Sequence, residues 1–226
     1  MKEKRRSNLD LAPLAEALSP FGVLVAVRRI RAGDESGFLD LARAKTPMAI
    51  ARRRASGAAR LAARRLLPEL NGDAAAPLPR STSGAPAWPD SFVGSLAHDD
   101  SYGAAAIGRR GALVGIGIDI EPAEPLPADL VDFVLTPPER RETSADPVAQ
   151  RLVFAAKEAV YKAIHPLDGS ALEYADITIR LFDGAATLRD GRRLRLFTLR
   201  AARLVAVALV LDGAPRLGPD PRRRSA

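Results

Sequence analysis

The run Leu113-Val114-Gly115-Ile116-Gly117-Ile118-Asp119-Ile120-Glu121 restricts what this chain can fold into more than any other segment. Its side chains separate with a period of two, so in an extended strand Val114, Ile116, Ile118 and Ile120 share one apolar face. The other face carries Gly115, Gly117, Asp119 and Glu121, two carboxylates beside two positions with no side chain. Glycine weakens a strand interior unless a ligand or another backbone must come close. This face reads as a floor for a metal ion or a phosphate, with the glycines clearing room for that ligand or for an opposing helix.

Elements of both kinds surround this strand. A helical pattern covers Leu11 to Leu18, and a β-rich run covers Phe21 to Ile30. Thr46-Pro47 opens a long Ala/Arg helix over about 47–70, which Asn71-Gly72 stops. The Pro/Gly/Ser-rich stretch Asp73 to Asp90 reads as a connection, followed by short strands at Phe92 to Leu96 and Tyr102 to Gly108. After the acidic strand, Thr136-Pro137 opens a short helix, and a longer one covers about 147–164, ended by Pro166. Strands follow at Ile177 to Phe182, Ala186 to Arg189, Arg192 to Leu199 and Leu204 to Leu211, with Asp183-Gly184 and Asp190-Gly191 as hairpin turns and a frayed tail from Gly213. Each half thus offers strand, long helix and further strands. The pattern predicts an α+β fold of two similar subdomains, residues 1–105 and 106–226, without a residue-level repeat.

Composition limits the chemistry. With 226 residues, 47% hydrophobic and 27% charged, the chain can bury a core. It has no cysteine, which excludes disulfides, thiolate metal sites and a Cys nucleophile. Its net charge of +7, mostly from arginine, favours an acidic partner. No apolar run approaches a membrane span of roughly 18 residues, and the charged start Met1 to Asp10 lacks a signal-peptide pattern, so the expectation is a soluble, cytoplasmic protein.

On the second long helix, Phe154, Glu158 and Lys162 are spaced i, i+4, i+8 and share a face. Taken alone, Glu158 and Lys162 make a favourably oriented surface ion pair worth about 0.2 to 0.5 kcal/mol. Beside the acidic strand they acquire a second reading. Mg²⁺ takes oxygen ligands, keeps several waters and is usually held by a few carboxylates plus substrate phosphates. Asp119, Glu121 and Glu158 could supply the carboxylates, while Lys162, with Lys157 nearby, could neutralise phosphate oxygens.

Gly117-Ile118-Asp119-Ile120-Glu121, followed by Phe154-x-x-Lys157-Glu158-Ala159-x-x-Lys162, resembles the 4′-phosphopantetheinyl transferases, and more closely their long single-chain type. That type activates siderophore, non-ribosomal peptide and polyketide synthetases. Pro86-Ala87-Trp88-Pro89 with Gly94-Ser95-Leu96-Ala97-His98 matches a third motif of the group. The resemblance implies two α/β subdomains about a pseudo-twofold axis, with coenzyme A as substrate in the cleft between them. It implies Mg²⁺, with Mn²⁺ as a substitute, held by Asp119, Glu121 and Glu158, and phosphates contacted by Lys162 and Lys157. Ser95, His98, Arg52 and Arg60 would lie near the nucleotide 3′-phosphate, and Arg80 would also contact the cofactor. Phe154 stands where many relatives have Trp, the segment Ala55 to Arg60 lacks the family's acidic-aromatic pair, and Asp99 follows His98 where a small residue is common.

The implied reaction moves the phosphopantetheine arm onto a serine of an acidic apo carrier protein or carrier domain of a synthetase, with Glu158 as general base, directly or through a metal-bound water. A monomer acting without nucleic acid or membrane is expected. Two other readings compete: a metal-dependent nucleotidyltransferase or phosphoesterase, and an arginine-rich nucleic-acid-binding module.

Overall fold

The computed structural model describes residues 9–37, 47–81 and 84–213, without the side chains of 47 and 48. The expected N-cap Thr46 and the tail beyond Gly213 lie outside the described residues. The elements are α1 (Ala12–Leu18), β1 (Val23–Arg29), α2 (Pro47–Leu66), β2 (Phe92–His98), β3 (Tyr102–Arg109), β4 (Leu113–Pro122), α3 (Ala128–Val134), α4 (Pro137–Glu142), α5 (Pro147–Asp168), β5 (Ile177–Arg180), β6 (Ala185–Leu188), β7 (Arg193–Arg200) and β8 (Arg203–Leu211). They form two antiparallel sheets, β1-β3-β2 and β4-β8-β7-β6-β5, so the fold class is α+β as expected.

Three apolar clusters define four layers. Leu66, Leu67, Ala105, Ile107 and Phe92 join α2 to the first sheet. Val93, Ala97, Ala104 and Ala106 meet Ile116, Ile118, Ile120, Val205 and Val207 between the two sheets. Ala155, Ala156, Ala159, Val160 and Ala163 of α5 cover the far side of the second sheet at Ala206 and Ala208. β2 and β4 are the edge strands of their sheets and lie against each other, so a groove opens between the halves along that edge. Sheet membership changes in the turn at 110–112, so the expected division at 105/106 falls inside β3, which pairs along its whole length with β1 and β2.

The strand with paired carboxylates behaves as its pattern requires, with one change. A bulge between Leu113 and Gly115 places Leu113, rather than Val114, in the apolar cluster with Ile116, Ile118 and Ile120. The glycines settle which neighbour they admit. A Cβ on Gly117 would stand 1.7 Å from the Ala159 carbonyl oxygen, and one on Gly115 would stand 2.7 Å from that of Ala163. The helix α5 fills the space. The first half uses the same device, since a Cβ on Gly103 would meet the Ala59 nitrogen of α2 at 2.3 Å.

Helix α5 differs from expectation at its end. Asp146 caps it by accepting from the Val148 and Ala149 N–H groups, and it runs through Pro166 to Asp168 before Gly169, at φ 69°, closes it. Proline removes the bond to the carbonyl four residues back, that of Lys162, and the helix tolerates this one turn from its end. α2 ends near its predicted stop, as a 3₁₀ turn Leu67–Leu70 followed by Asn71 at φ 56°. The Asp-Gly turns occur as predicted, with Gly184 at φ 56° and Gly191 at φ 87°.

Gly117→Ala forces β4 and α5 apart and is expected to destabilise the fold by at least about 2 kcal/mol, read as a lowered urea midpoint.

Candidate active site

Four residues along α5 rise about 6 Å, and two along a strand rise nearly 7 Å, so the antiparallel pair stays in step. Ala163 faces Gly115, Ala159 faces Gly117, and Arg151 reaches Glu121. This register sets Glu158 and Lys162 beside the acidic end of β4.

Lys162 donates to Asp119 Oδ1 at 2.6 Å, reaching across to the strand rather than back to Glu158, so the surface-pair reading of that spacing does not hold. Asp119 Oδ2 is buried and has no hydrogen-bond partner. Burial holds the Asp119 carboxyl above the usual carboxylate range, with Lys162 pulling the other way and Glu158 adding to the rise. Glu121 is raised by burial and then by the charge of Asp119, against the Arg151 guanidinium that it accepts from at 3.0 Å. Glu158 accepts a 2.6 Å hydrogen bond from the Tyr174 hydroxyl.

Two carboxylates held up toward their protonated forms, the buried Asp119 with an orphaned oxygen and the half-buried Glu121, suit a cation that would displace the protons. The donors are all oxygen, as Mg²⁺ requires. As placed, however, no three acidic or histidine side chains among the described residues form a metal-holding group, because each of the three carboxylates is turned to its own partner.

The groove between the halves holds most of the remaining predicted residues. A cavity of about 310 Å³ is lined by Trp88, Ser95, Tyr161, Lys162 and His165. A smaller one, about 110 Å³, adjoins it at Gly84, Pro86 and Leu96, and brings together Arg60, Arg80, Ser56 and His98. Arg60 is buried, donates to the Leu78 carbonyl and to Ser56, and is lowered to about 10 by burial and then by Arg80 and Arg64. Burial, then the Lys162 charge, hold the His98 imidazole below its usual value, against the pull of Asp99. On the other side of Tyr161 lies a third cavity, of about 590 Å³, lined by Phe133, Glu158, Leu172 and Tyr174.

Two expected contacts are not brought to the groove. Arg52, two turns before Arg60, is exposed and lines neither of its cavities. Lys157 is fully buried at the edge of the third cavity, and its ammonium has three donors, which go to Glu139 at 2.8 Å, the Val134 carbonyl at 2.8 Å and the Tyr174 carbonyl at 2.9 Å. Adjacent to Glu158, it lies about 100° away around the helix and faces the core.

Asp99 has a structural role. It accepts from the Ser101 and Tyr102 N–H groups at 2.7 and 2.6 Å, closing the β2–β3 turn, and pairs with Arg203 of the other half, whose guanidinium lies over the Tyr102 ring. Tyr174, Arg151 and Glu139 escape sequence reading. Only Glu139 carries a local signal, as the third helical residue after Thr136, whose N–H it accepts at 2.8 Å.

Residues 42–108 match the model of the 4′-phosphopantetheinyl transferase N-terminal domain, and residues 115–208 match that of the 4′-phosphopantetheinyl transferase superfamily. The chain is 43% identical over 145 residues to 4′-phosphopantetheinyl transferase Npt of Nocardia iowensis, covering 62% of this chain and 65% of the relative. It is 37% identical over 148 residues to 4′-phosphopantetheinyl transferase PptT of Mycobacterium tuberculosis, covering 64% and 60%. The matches thus span a little under two thirds of these relatives. The crystal structure of Thermotoga maritima holo-[acyl-carrier-protein] synthase aligns over 43% of this chain and 62% of its own at 22% identity and a TM-score of 0.36.

Lys157→Met would leave the buried Glu139 carboxylate unpaired and is expected to cost about 3 to 5 kcal/mol, measured by chemical denaturation. A phosphate bound beside His98 raises the imidazole's depressed pKa, so binding of a phosphate-bearing ligand tightens as pH falls from the bound value toward the lower free one. Calorimetric titration across this range should give a shallower profile for His98→Gln than for the unaltered protein.

Proposed function

Because the chain belongs to the 4′-phosphopantetheinyl transferase superfamily, we propose that it moves the 4′-phosphopantetheine arm of coenzyme A to a serine hydroxyl of an apo carrier protein, releasing adenosine 3′,5′-bisphosphate. The observation that carries the reading is the buried Asp119, bonded to Lys162 through one oxygen and unpartnered at the other, at a groove whose lining comes from both halves. An arginine-rich nucleic-acid module gives no reason to bury such a carboxylate, and nothing in the site favours a phosphoesterase over the transferase.

In this reading the nucleotide lies along the groove, with its 3′-phosphate beside Arg60, Arg80 and His98 and its sugar end over Ser95 and Trp88. Lys162 stands where the pyrophosphate crosses from one half to the other and balances the charge that grows on the leaving oxygen. The uncharged pantetheine arm takes the cavity past Tyr161, lined by Phe133, Leu172 and Tyr174. Asp119, Glu121 and Glu158 are the residues that would hold Mg²⁺, which would supply charge neutralisation at the pyrophosphate. Glu158 takes the serine proton as the serine oxygen bonds to the pantetheine-side phosphorus and the phosphoanhydride bond to the nucleotide breaks. The net charge of +7 steers an acidic carrier toward the enzyme.

Incubation with coenzyme A, Mg²⁺ and a panel of apo carrier proteins, followed by intact-mass measurement, should show one arm added to a carrier. No mass increase on any carrier would reject the reading. Without carrier, Mg²⁺ should raise the thermal midpoint of the protein in proportion to the logarithm of its concentration, and Asp119→Asn should abolish that rise.

A further inference from the structure

The proposed base is held from behind by a residue outside the sequence motifs. Glu158 has Lys162 one turn ahead of it, the favourable orientation for an ion pair, yet Lys162 is committed to Asp119. Its 2.6 Å partner is instead the hydroxyl of Tyr174, from the 3₁₀ turn Tyr174–Asp176 that leads into β5. The phenol is itself fixed at both ends. Its ring meets Phe133 edge-on at 5.4 Å and Phe154 at 6.0 Å, so rotation about its side-chain bonds is restricted.

The Tyr174 backbone is anchored by the core. Its carbonyl accepts from the Lys157 ammonium at 2.9 Å, and Lys157 is locked by Glu139 and the Val134 carbonyl. Glu139 in turn accepts from the Thr136 N–H at 2.8 Å and the Ile179 N–H at 2.7 Å, so both buried charges of this network have their partners. One linked set of bonds therefore runs from the core lysine, through the turn and the phenol, to the carboxylate on the next residue of the same helix.

We propose that Tyr174 is a positioning residue for Glu158: its hydroxyl occupies Oε1 and sets the carboxylate rotamer so that Oε2 receives the serine proton, while buried Lys157 keeps the Tyr174 turn in place. The proposal rests on the transferase reading for its kinetic consequence but not for its structural one. Tyr174 takes no part in proton transfer; it fixes where the accepting oxygen stands. Among outer-shell partners that orient a metal-ligating side chain, the role the transferase reading also gives Glu158, loss of one costs about 10- to 100-fold in metal affinity or activity.

The test uses full-length Tyr174→Phe, which keeps the ring and the backbone bond to Lys157 and removes one oxygen. With coenzyme A and a modified carrier protein, kcat should fall about 10- to 100-fold while calorimetric affinity for coenzyme A changes less than twofold and the thermal midpoint holds. Crystal structures of both proteins should show Glu158 in a single rotamer in the parent and turned toward Lys162, or in several rotamers, in the variant. A kcat within twofold of the parent overturns the proposal. If no carrier is modified by the parent protein, the transferase reading fails, and the structures alone decide: an unmoved Glu158 in Tyr174→Phe overturns the positioning role, and a displaced one upholds it.

Discussion

The close approach of α5 to β4 governs everything that follows at the site. At Gly117 the helix backbone lies where any side chain would stand, and at Gly115 the clearance is little better. Because four helical residues and two strand residues advance by nearly the same distance, the contact repeats without slipping. Any other residue at these two points would lift the helix off the sheet. Glu158 and Lys162 would then be carried away from Asp119, and the groove between the halves would lose one wall. The use of Gly103 against α2 shows the same solution in the first half, where it lets Arg60 and its helix sit low enough to share a cavity with His98 of the neighbouring strand.

This packing puts charge where water is scarce. Asp119 is buried next to Glu121, and desolvation disfavours both anions. Lys162 and Arg151 relieve each of them only in part, since one Asp119 oxygen still lacks a donor. A structure selected for stability alone would replace such a pair with apolar side chains. The retained strain is consistent with a site whose missing charge arrives with a ligand. Away from the groove, the buried Lys157 ammonium and Glu139 carboxylate are by contrast fully paired.

Local signals carried much of this architecture. The period-two strand, the Asp-Gly turns, the Asn71-Gly72 stop and the three short motifs all depend on residues close in sequence, and each appears in the structure within a few residues of its expected place. What could not be read depends on long-range geometry. The bulge at Val114 arises from pairing with β8, nearly a hundred residues away. Pro166 reads as the stop of α5 in sequence, yet it lies in the last turn, where few bonds remain to be lost. Helix α3, with an exposed Phe133, carries no strong cap and announces itself weakly. Tyr174 becomes part of the site only because the chain after α5 folds back along it, and no spacing within the motif encodes that return.

Lys157 shows why a motif is an incomplete guide to a site. Adjacent residues on a helix diverge by about 100°, so the two side chains of a Lys-Glu pair leave it in different directions. Here Glu158 faces the cavity past Tyr161, and the Lys157 ammonium, at the buried edge of that cavity, has all three of its donors used. The two residues nevertheless act on the same atoms by different routes. Glu158 presents a carboxylate, and Lys157, through the Tyr174 carbonyl and hydroxyl, supports the group that orients it. The spacing of a short motif can thus reflect the frame around a reacting group as much as the group itself.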